Sequence, residues 1–519
     1  MTMRRTVQYV LVVLLVCALA VGLVIHFLAS GALGNRQPVG VVTALPRDSG
    51  FVLEKSQRQA AVQPAHLLPN TGARLAGQGA DGVMDPAADK GLETAAQPLG
   101  VGRTGVQPDK HILFGDLHVH STYSFDAYNA SLPMYRGDGS HPPGDACDFA
   151  RYCSGLDFWS INDHAEGLTP RQWQQTRDMV RQCNAAAGDP AHPDMVTFLG
   201  WEWTQIGNTP QDHYGHKNVV LRDTGEGEVP ARPISSREQL FPGGQDPFNT
   251  LMRLSLLASA RDATQRQRYH DFIRFLQDRE ELPVCPGGVP VRDLPVNCQE
   301  SASTPRELFA KLDDWGFPYL AIPHGNSWGF YTPPLSRWDK QLRAHSDPQR
   351  HEPLIEVFSG HGNIEQYRDW RAVRIDQDGK AVCPPPTPDY LPECWRAGQI
   401  IEQRCLAAGE TAAVCDARAA ATRANFILTK DSGHWTVQGA TVEDWLDAGQ
   451  CRDCYMPAYN HRPTSSMQYG LAISDFSTPD AARSASSAVP KRFRWGVIGS
   501  SDVHTARPGT GSRNSGGVT

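Results

Sequence analysis

The chain has no excess of positive charge: 49 Lys and Arg stand against 56 Asp and Glu in 519 residues, a net charge of −7. No basic stripe interrupts that balance, which argues against nucleic acid as a partner. Internal repeats are absent as well, so a solenoid is excluded. From about Ser30 to Lys110 the chain lacks sustained hydrophobic periodicity and has few aromatics. Ala, Gly, Pro and Gln dominate there, which predicts a disordered tether over 31–109. Cys451-Arg-Asp-Cys454 has no second CxxC to accompany it, which favours a structural disulfide over a redox pair or half a zinc site.

What is present begins with an apolar run. Arg4 and Arg5 precede an almost uninterrupted stretch from Tyr9 to Leu28, close to the ~20 residues a membrane-spanning helix needs. Basic residues ahead of it predict a cytoplasmic N-terminus and an exported remainder, periplasmic in a Gram-negative cell. Ala29-Ser-Gly-Ala-Leu-Gly34 also offers a cleavage site, although signal cores are shorter, about 7–15 residues. The expected organisation is a membrane anchor at 1–30, the tether, and a folded domain at 110–519. Twelve cysteines agree with export. Near neighbours in sequence are Cys147 with Cys153, Cys285 with Cys298, Cys383 with Cys394, Cys405 with Cys415, and Cys451 with Cys454. Their connectivity stays open. Setting Cys17 of the apolar run aside leaves eleven of twelve, an odd number, so at least one thiol is free or pairs between chains.

Seven short apolar runs of strand character carry a histidine, aspartate or glutamate at one end. They are 111–120, 158–164, 196–202, 216–221, 319–324, 354–358 and 495–504. Between the second and third, Trp173, Thr176, Met179, Val180 and Cys183 recur at helical spacing over Pro170–Ala187. Thr304-Pro-Arg-Glu307 reads as a helix start, with Thr304 as N-cap, Pro305 at the first turn and Glu307 completing a capping box. Strand alternating with helix predicts an α/β fold with a parallel sheet and right-handed crossovers. Ligating side chains gathered at one end of successive strands describe a site at the mouth of a barrel.

Two stretches exceed a crossover: 222–303, with a long helix expected over Asp246–Leu282, and 360–494. Both read as insertions above the mouth, where substrate-selecting loops sit. Only fifteen residues follow His504, dense in Gly and Ser. No closing helix can form from them, which predicts a truncated C-terminus and an uncovered apolar strip.

His118 and His120 are two apart on a strand and project together, able to grip one ion. Asp116 shares their face and is placed to orient a ligand; Asp163 reads the same way. Trp201 and Trp203 flank Glu202 on the opposite face and read as packing residues.

Asp116-Leu-His-Val-His120, Asn162-Asp-His164, Gly200-Trp-Glu202, Ile322-Pro-His324 and Ser501-Asp-Val-His504 resemble, in order, the motifs of the polymerase and histidinol phosphatase (PHP) superfamily. More closely, Phe114–Asp126, Pro323-His-Gly-Asn-Ser-Trp-Gly329, Glu356-Val-Phe-Ser-Gly-His361 and Gly499–Gly509 resemble a bacterial, often exported family catalogued as domain of unknown function 3604. The resemblance runs from about Lys110 to the C-terminus. It implies a distorted seven-stranded (β/α) barrel binding two or three divalent ions of zinc, manganese or iron. One ion would take His118, His120, Glu202 and Asp502. A second would share Glu202 and add His216 and His324, with His213 as the alternative to His216. A third would take Asp126, His164 and His504. Many relatives carry histidine in place of Asp126, and an oxygen ligand there favours manganese or iron over zinc.

Such ions lower the pKa of a bridging water and supply hydroxide near neutral pH, so no serine or cysteine nucleophile is needed. Arg507 and, second, Arg462 are candidates to clamp a phosphate. Glu356 is a candidate partner of a ligand histidine; Asn326 and His361 are candidate substrate contacts. The resemblance therefore implies an exported, membrane-anchored metal-dependent hydrolase acting on a small phosphorylated molecule. Alternatives are hydrolysis of an amide, lactone or sulfate ester by the same chemistry, and a non-catalytic module stabilised by metal.

Overall fold

Each apolar run singled out in the sequence carries a strand. The computed structural model describes residues 2–42 and most of 113–510; outside it lie 43–112, 238–246, 366–372, 429–435, 449–461, 477–489, 511–519 and some shorter gaps. The strands are β1 (Gly115–Val119), β2 (Phe158–Ile161), β3 (Val196–Gln205), β4 (Gly215–Leu221), β5 (Tyr319–His324), β6 (Leu354–Ser359) and β7 (Gly496–Gly499). The first five form one sheet in the order β1-β2-β3-β4-β5, curled as a half barrel. In a separate three-stranded sheet, β7 pairs with β6 in parallel and Gly362–Asn363 adds to β6 antiparallel. The chain beyond β7 then runs beside β1. Val119 and Val503 form a parallel bridge, with His120 N donating to Val503 O and Asp502 N to His118 O, both at 2.9 Å.

One strand departs from the expected all-parallel arrangement. β4 is antiparallel to both β3 and β5. The connection from Gln205 to Gly215 has no room for a crossover helix, and a chain returning through a short loop pairs antiparallel. The reversal sets His216, at the start of β4, opposite His324, at the end of β5.

Helix α1 spans Thr2–Ala29, where the apolar run was expected to cross a membrane. Among the described residues no helix is long and apolar enough to do so; the side chains before Val13 lie outside them. Part of the expected tether is docked rather than loose. Arg171 N donates to Val39 O, and Val42 exchanges hydrogen bonds with the Gln174 side chain. The remainder of the tether lies outside the described residues.

A short helix α2 (Phe125–Ala130) follows the turn after β1. Helix α3 (Pro170–Ala185) starts with a full capping box between Thr169 and Gln172, which satisfies N–H groups that a helix start otherwise leaves unpaired. The single long helix expected over 246–282 is two, α4 (Pro247–Ala258) and α5 (Arg266–Glu280). Between them the Asp262 carboxylate accepts from Thr264 N and Oγ1, both at 2.8 Å, a local turn that competes with the helix. Helix α6 (Pro305–Trp315) is capped by Thr304 as expected and stops at Gly316, whose φ is 71°. The Glu307 carboxylate, however, accepts the N–H of Ser303 (2.7 Å) rather than that of Thr304, so the reciprocal half of the box moves back one residue.

Trp173 of α3 meets Trp201 of β3 edge to face, with ring centroids 5.6 Å apart. With Trp159, Trp203, Leu308 and Phe309 they form the main core between sheet and helices. Trp201 and Trp203 are fully buried, as expected, and their Nε1 groups donate to Ile234 O and Ala302 O. The first insertion is thereby tied to the back of β3. Its helix α5 packs Tyr269, Phe272 and Leu276 against Phe125 and Tyr128 of α2. Helix α7 (Trp338–Ala344) covers the outer side of β4 through the Lys217–Gln341 hydrogen bond. In the second insertion α8 (Glu393–Ala407) and α9 (Ala412–Leu428) bury an apolar cluster of their own around Cys394, Ile400 and Phe426.

Cys285–Cys298, Cys383–Cys394 and Cys405–Cys415 form disulfides between the sequence neighbours. Cys147 instead bridges to Cys183 on α3, leaving Cys153 as a free, exposed thiol; Cys451 and Cys454 lie outside the described residues. Val497 on β7 and Phe114 before β1 are 56% and 55% exposed.

Candidate metal centre

The strand ends deliver their polar side chains to one buried place. His118 and His120 leave β1 on the same face, Glu202 comes from β3, and Asp502 from the loop after β7. His118 Nε2 lies 3.1 Å from His120 Nε2, 3.3 Å from a Glu202 oxygen and 3.1 Å from Asp502 Oδ1. His120 Nε2 is 3.2 Å from the same Glu202 oxygen and 3.4 Å from Asp502 Oδ1. Four donors bound tetrahedrally to one ion at ~2.0–2.2 Å stand about 3.3–3.6 Å apart. The five separations above are close to the edges of such a tetrahedron, and His118, His120 and Glu202 form a group able to hold one ion, with Asp502 Oδ1 beside both rings. Asp502 adopts a left-handed conformation, φ 52°, which few non-glycine residues hold without a local reason.

The other Glu202 oxygen faces a second set. It lies 3.3 Å from His324 Nε2 and in direct contact with His216 Nδ1. A third set centres on Asp126, whose Oδ2 is 3.0 Å from both His164 Nε2 and His504 Nε2. His120 closes on that set too, its ring stacked on those of His164 and His504. Eight of the nine residues picked out for ligation come together in overlapping groups able to hold an ion, and the ninth, Asp502, lies beside the His118 and His120 rings without joining a group. His213 joins none of them among the described residues.

Neighbours aim these side chains. Glu356 lies 3.0 Å from His118 Nδ1 and fixes the ring so that Nε2 faces the cluster. Asp116 accepts N–H groups of His118, Ser501 and Gly509, tying β1 to the loop that carries Asp502 and His504. Asp163 accepts from Ser121 N and Oγ and braces the turn after His120. Two residues were missed in the sequence. Ser124 Oγ pairs with His120 Nδ1 (2.9 Å) and accepts His164 N (2.8 Å). Thr204 Oγ1 lies 2.8 Å from Glu202, 2.9 Å from His164 Nδ1 and 3.2 Å from His216 Nδ1. Thr204 is two residues past Glu202 on one strand, and that same-face spacing was the available signal.

Burial opposes ionising the Glu202 carboxyl, but the charges of His164, His324 and His216 and the His118 hydrogen bond outweigh it and hold the group well below the usual range. Asp126 is held down in the same way by His164 and His504 against its burial. Burial lowers His164 and His504, yet Asp126 lifts them to about 10 and about 9. His213 is pushed down to about 4 by burial and by His216.

The expected phosphate clamps fare differently. Arg462 is committed elsewhere, its Nε donating to Thr332 O (2.9 Å) and its backbone N–H to Ser327 O (2.8 Å) in the loop after His324. Arg507 is half-buried in the turn three residues beyond His504, where its carbonyl accepts the Thr510 hydroxyl. Asn326 is buried, with Oδ1 against Gly215, where φ of +74° and the lack of a Cβ admit it; a Cβ there would stand 2.0 Å from that oxygen. Its Nδ2 has no acceptor among the described residues. His361 lies outside them. No family model, curated protein or solved structure matches the chain.

Proposed function

We propose that the chain is a metal-dependent hydrolase of the PHP type, similar to the family catalogued as domain of unknown function 3604, with a phosphoester as its substrate. The carrying observation is Glu202, whose two oxygens face different nitrogen donor sets, the arrangement a carboxylate needs to join two ions. In this reading β6 and β7 complete a distorted seven-stranded barrel with the five-stranded sheet, and the Val119–Val503 bridge supports that closure. Two or three ions of zinc, manganese or iron would supply Lewis acidity and an activated water near neutral pH.

The chain's own groups do the rest. Glu356, Ser124 and Thr204 hold the histidine rings and the Glu202 carboxylate in fixed orientations. Asn326 offers a buried N–H donor beside His324 for a substrate oxygen, and Arg507 is the nearest arginine in sequence to a ligand. Arg462 positions the loop after His324. Its commitment to Thr332 is the observation that favours a second reading, cleavage of a less charged bond such as a lactone, amide or sulfate ester.

We place the protein outside the cytoplasm, anchored by α1. Support comes from the disulfides and from Leu14, Leu15, Leu19 and Leu23 of α1, all more than half exposed. The test is hydrolysis of phosphomonoesters, phosphodiesters, sulfate esters, lactones and amides by the purified chain, with metal content measured on the same sample. Turnover of a phosphoester that disappears on chelation and returns with manganese, iron or zinc is expected. Metal-loaded protein turning over only non-phosphorylated substrates would transfer the assignment to the second reading.

A further inference from the structure

Glu202 is held in place by the chain after β2. Its N–H donates to Asp163 O (3.1 Å) and its carbonyl accepts Ala165 N (2.9 Å). Thr204, two residues further along β3, turns its N–H and C=O to the same side. β2 has ended at Ile161 and does not reach them, yet buried main-chain groups need partners. Side chains supply them. Glu166 Oε1 accepts Thr204 N (3.3 Å) and Ser236 N (2.7 Å), and the Ser236 hydroxyl donates to Thr204 O. Glu166 and Ser236 are both buried.

Ser236 follows the short strand Ile234–Ser235 of the first insertion, and that insertion also contributes a charge. Arg279, near the end of α5, is buried. Burial pulls it down to about 10, and the charge of Glu166 opposes that shift. Thr204 Oγ1 meanwhile touches Glu202, His164 and His216. A hydroxyl shared by three groups is only as well placed as the main chain that carries it.

We propose that Glu166 is a positioning residue of the metal centre, acting through Thr204: its Oε1 fixes the Thr204 peptide, and with it the hydroxyl that Glu202, His164 and His216 share. The first insertion is thereby coupled to the metal centre, through Ser236 by hydrogen bonds and through Arg279 by charge. The proposal rests on the metal reading above, not on which bond is cleaved.

Metal affinity of the full chain, read by competition with a chelating dye, tests it in a double-mutant cycle with Thr204→Val. Glu166→Ala should bind metal about 10-fold or more weakly than the wild type and cause no further loss in the Thr204→Val background. Glu166→Gln keeps the acceptor oxygen and should retain wild-type affinity, while its Tm falls because Arg279 loses the neighbouring charge. A purely structural role would not separate affinity from stability in this way. Equal losses in both backgrounds would overturn the proposal, as would unchanged affinity in Glu166→Ala or a Glu166→Gln affinity as low as that of Glu166→Ala. Should Glu166→Ala fail to fold, Ser236→Ala takes its place in the cycle. A loss confined to the wild-type background is then expected, and no loss, or the same loss in both, would overturn the proposal. Wild-type protein that takes up no ion would overturn the metal reading itself and the proposal with it.

Discussion

His216 and Lys217 are neighbours on β4 and point to opposite faces, each into a buried polar cluster. On the outer face Lys217 is fully buried, its Nζ 2.7 Å from Glu352 and 2.9 Å from Gln341, while the other Glu352 oxygen lies 3.1 Å from His345. That cluster closes its own charges. Burial works against Glu352, yet Lys217 and His345 hold it down at about 2. On the inner face Glu202, Asp126 and Asp502 are gathered among six histidines: His118, His120, His164, His216, His324 and His504. Its positive partners are imidazoles, which are neutral when they bind metal. In the outer cluster Lys217 and His345 each face an oxygen of Glu352; the inner one has the composition of a cation site.

Predictions follow from that contrast. The largest effect belongs to Glu202→Gln. It should lose at least one ion per chain and reduce turnover well beyond the ~10–100-fold typical of residues that only orient ligands. Metal analysis and steady-state kinetics on the same preparation check this, and full occupancy with wild-type turnover would remove the bridging role.

Glu352→Gln should behave oppositely. Leaving Lys217 buried without its carboxylate should cost about 3–5 kcal/mol of stability, read by denaturant unfolding. The folded fraction should keep wild-type metal content and turnover. A change in metal content would show that the two faces of β4 are not independent.

Acid should reveal the same pair. Glu352 is lowered from 4.5 to about 2, so its contribution is present above about 4.5 and lost as the pH falls through about 2. Unfolding measured across that window should show a stability loss in the wild type that is smaller in Glu352→Gln. The smallest effect is expected from Thr204→Val, which keeps the shape but removes the hydroxyl shared by Glu202, His164 and His216. Metal affinity should fall about 10–100-fold with the fold retained, measured by competition with a chelating dye.

Much of the inner face was legible in the sequence because its signals are short-range. His118 and His120 share a face by strand alternation, and Glu202 sits between two tryptophans that point away from it. The reversal of β4 was legible but unread: the other five runs that carry a ligand place it toward their C-terminal end, whereas His216 opens its own. A strand entering from the mouth is what that order requires. The outer cluster carried no such signal, since Lys217, Gln341, His345 and Glu352 meet only through tertiary packing. Ser124 and Thr204 went unnoticed because a hydroxyl near a ligand is common in any turn or strand. The Cys147–Cys183 bridge escaped because proximity in sequence favoured Cys153, while the fold brings α3 closer.

The central claim is that Glu202 joins two cation sites. Diffraction from crystals of the protein as purified, measured at the absorption edges of manganese, iron and zinc, tests it most directly. The account predicts at least two anomalous peaks, one bonded to each Glu202 oxygen at about 2.0–2.2 Å, with His118, His120 and Asp502 around one and His216 and His324 around the other. A Glu202 carboxylate surrounded only by water and histidine hydrogen bonds, in protein supplied with all three metals, would contradict it.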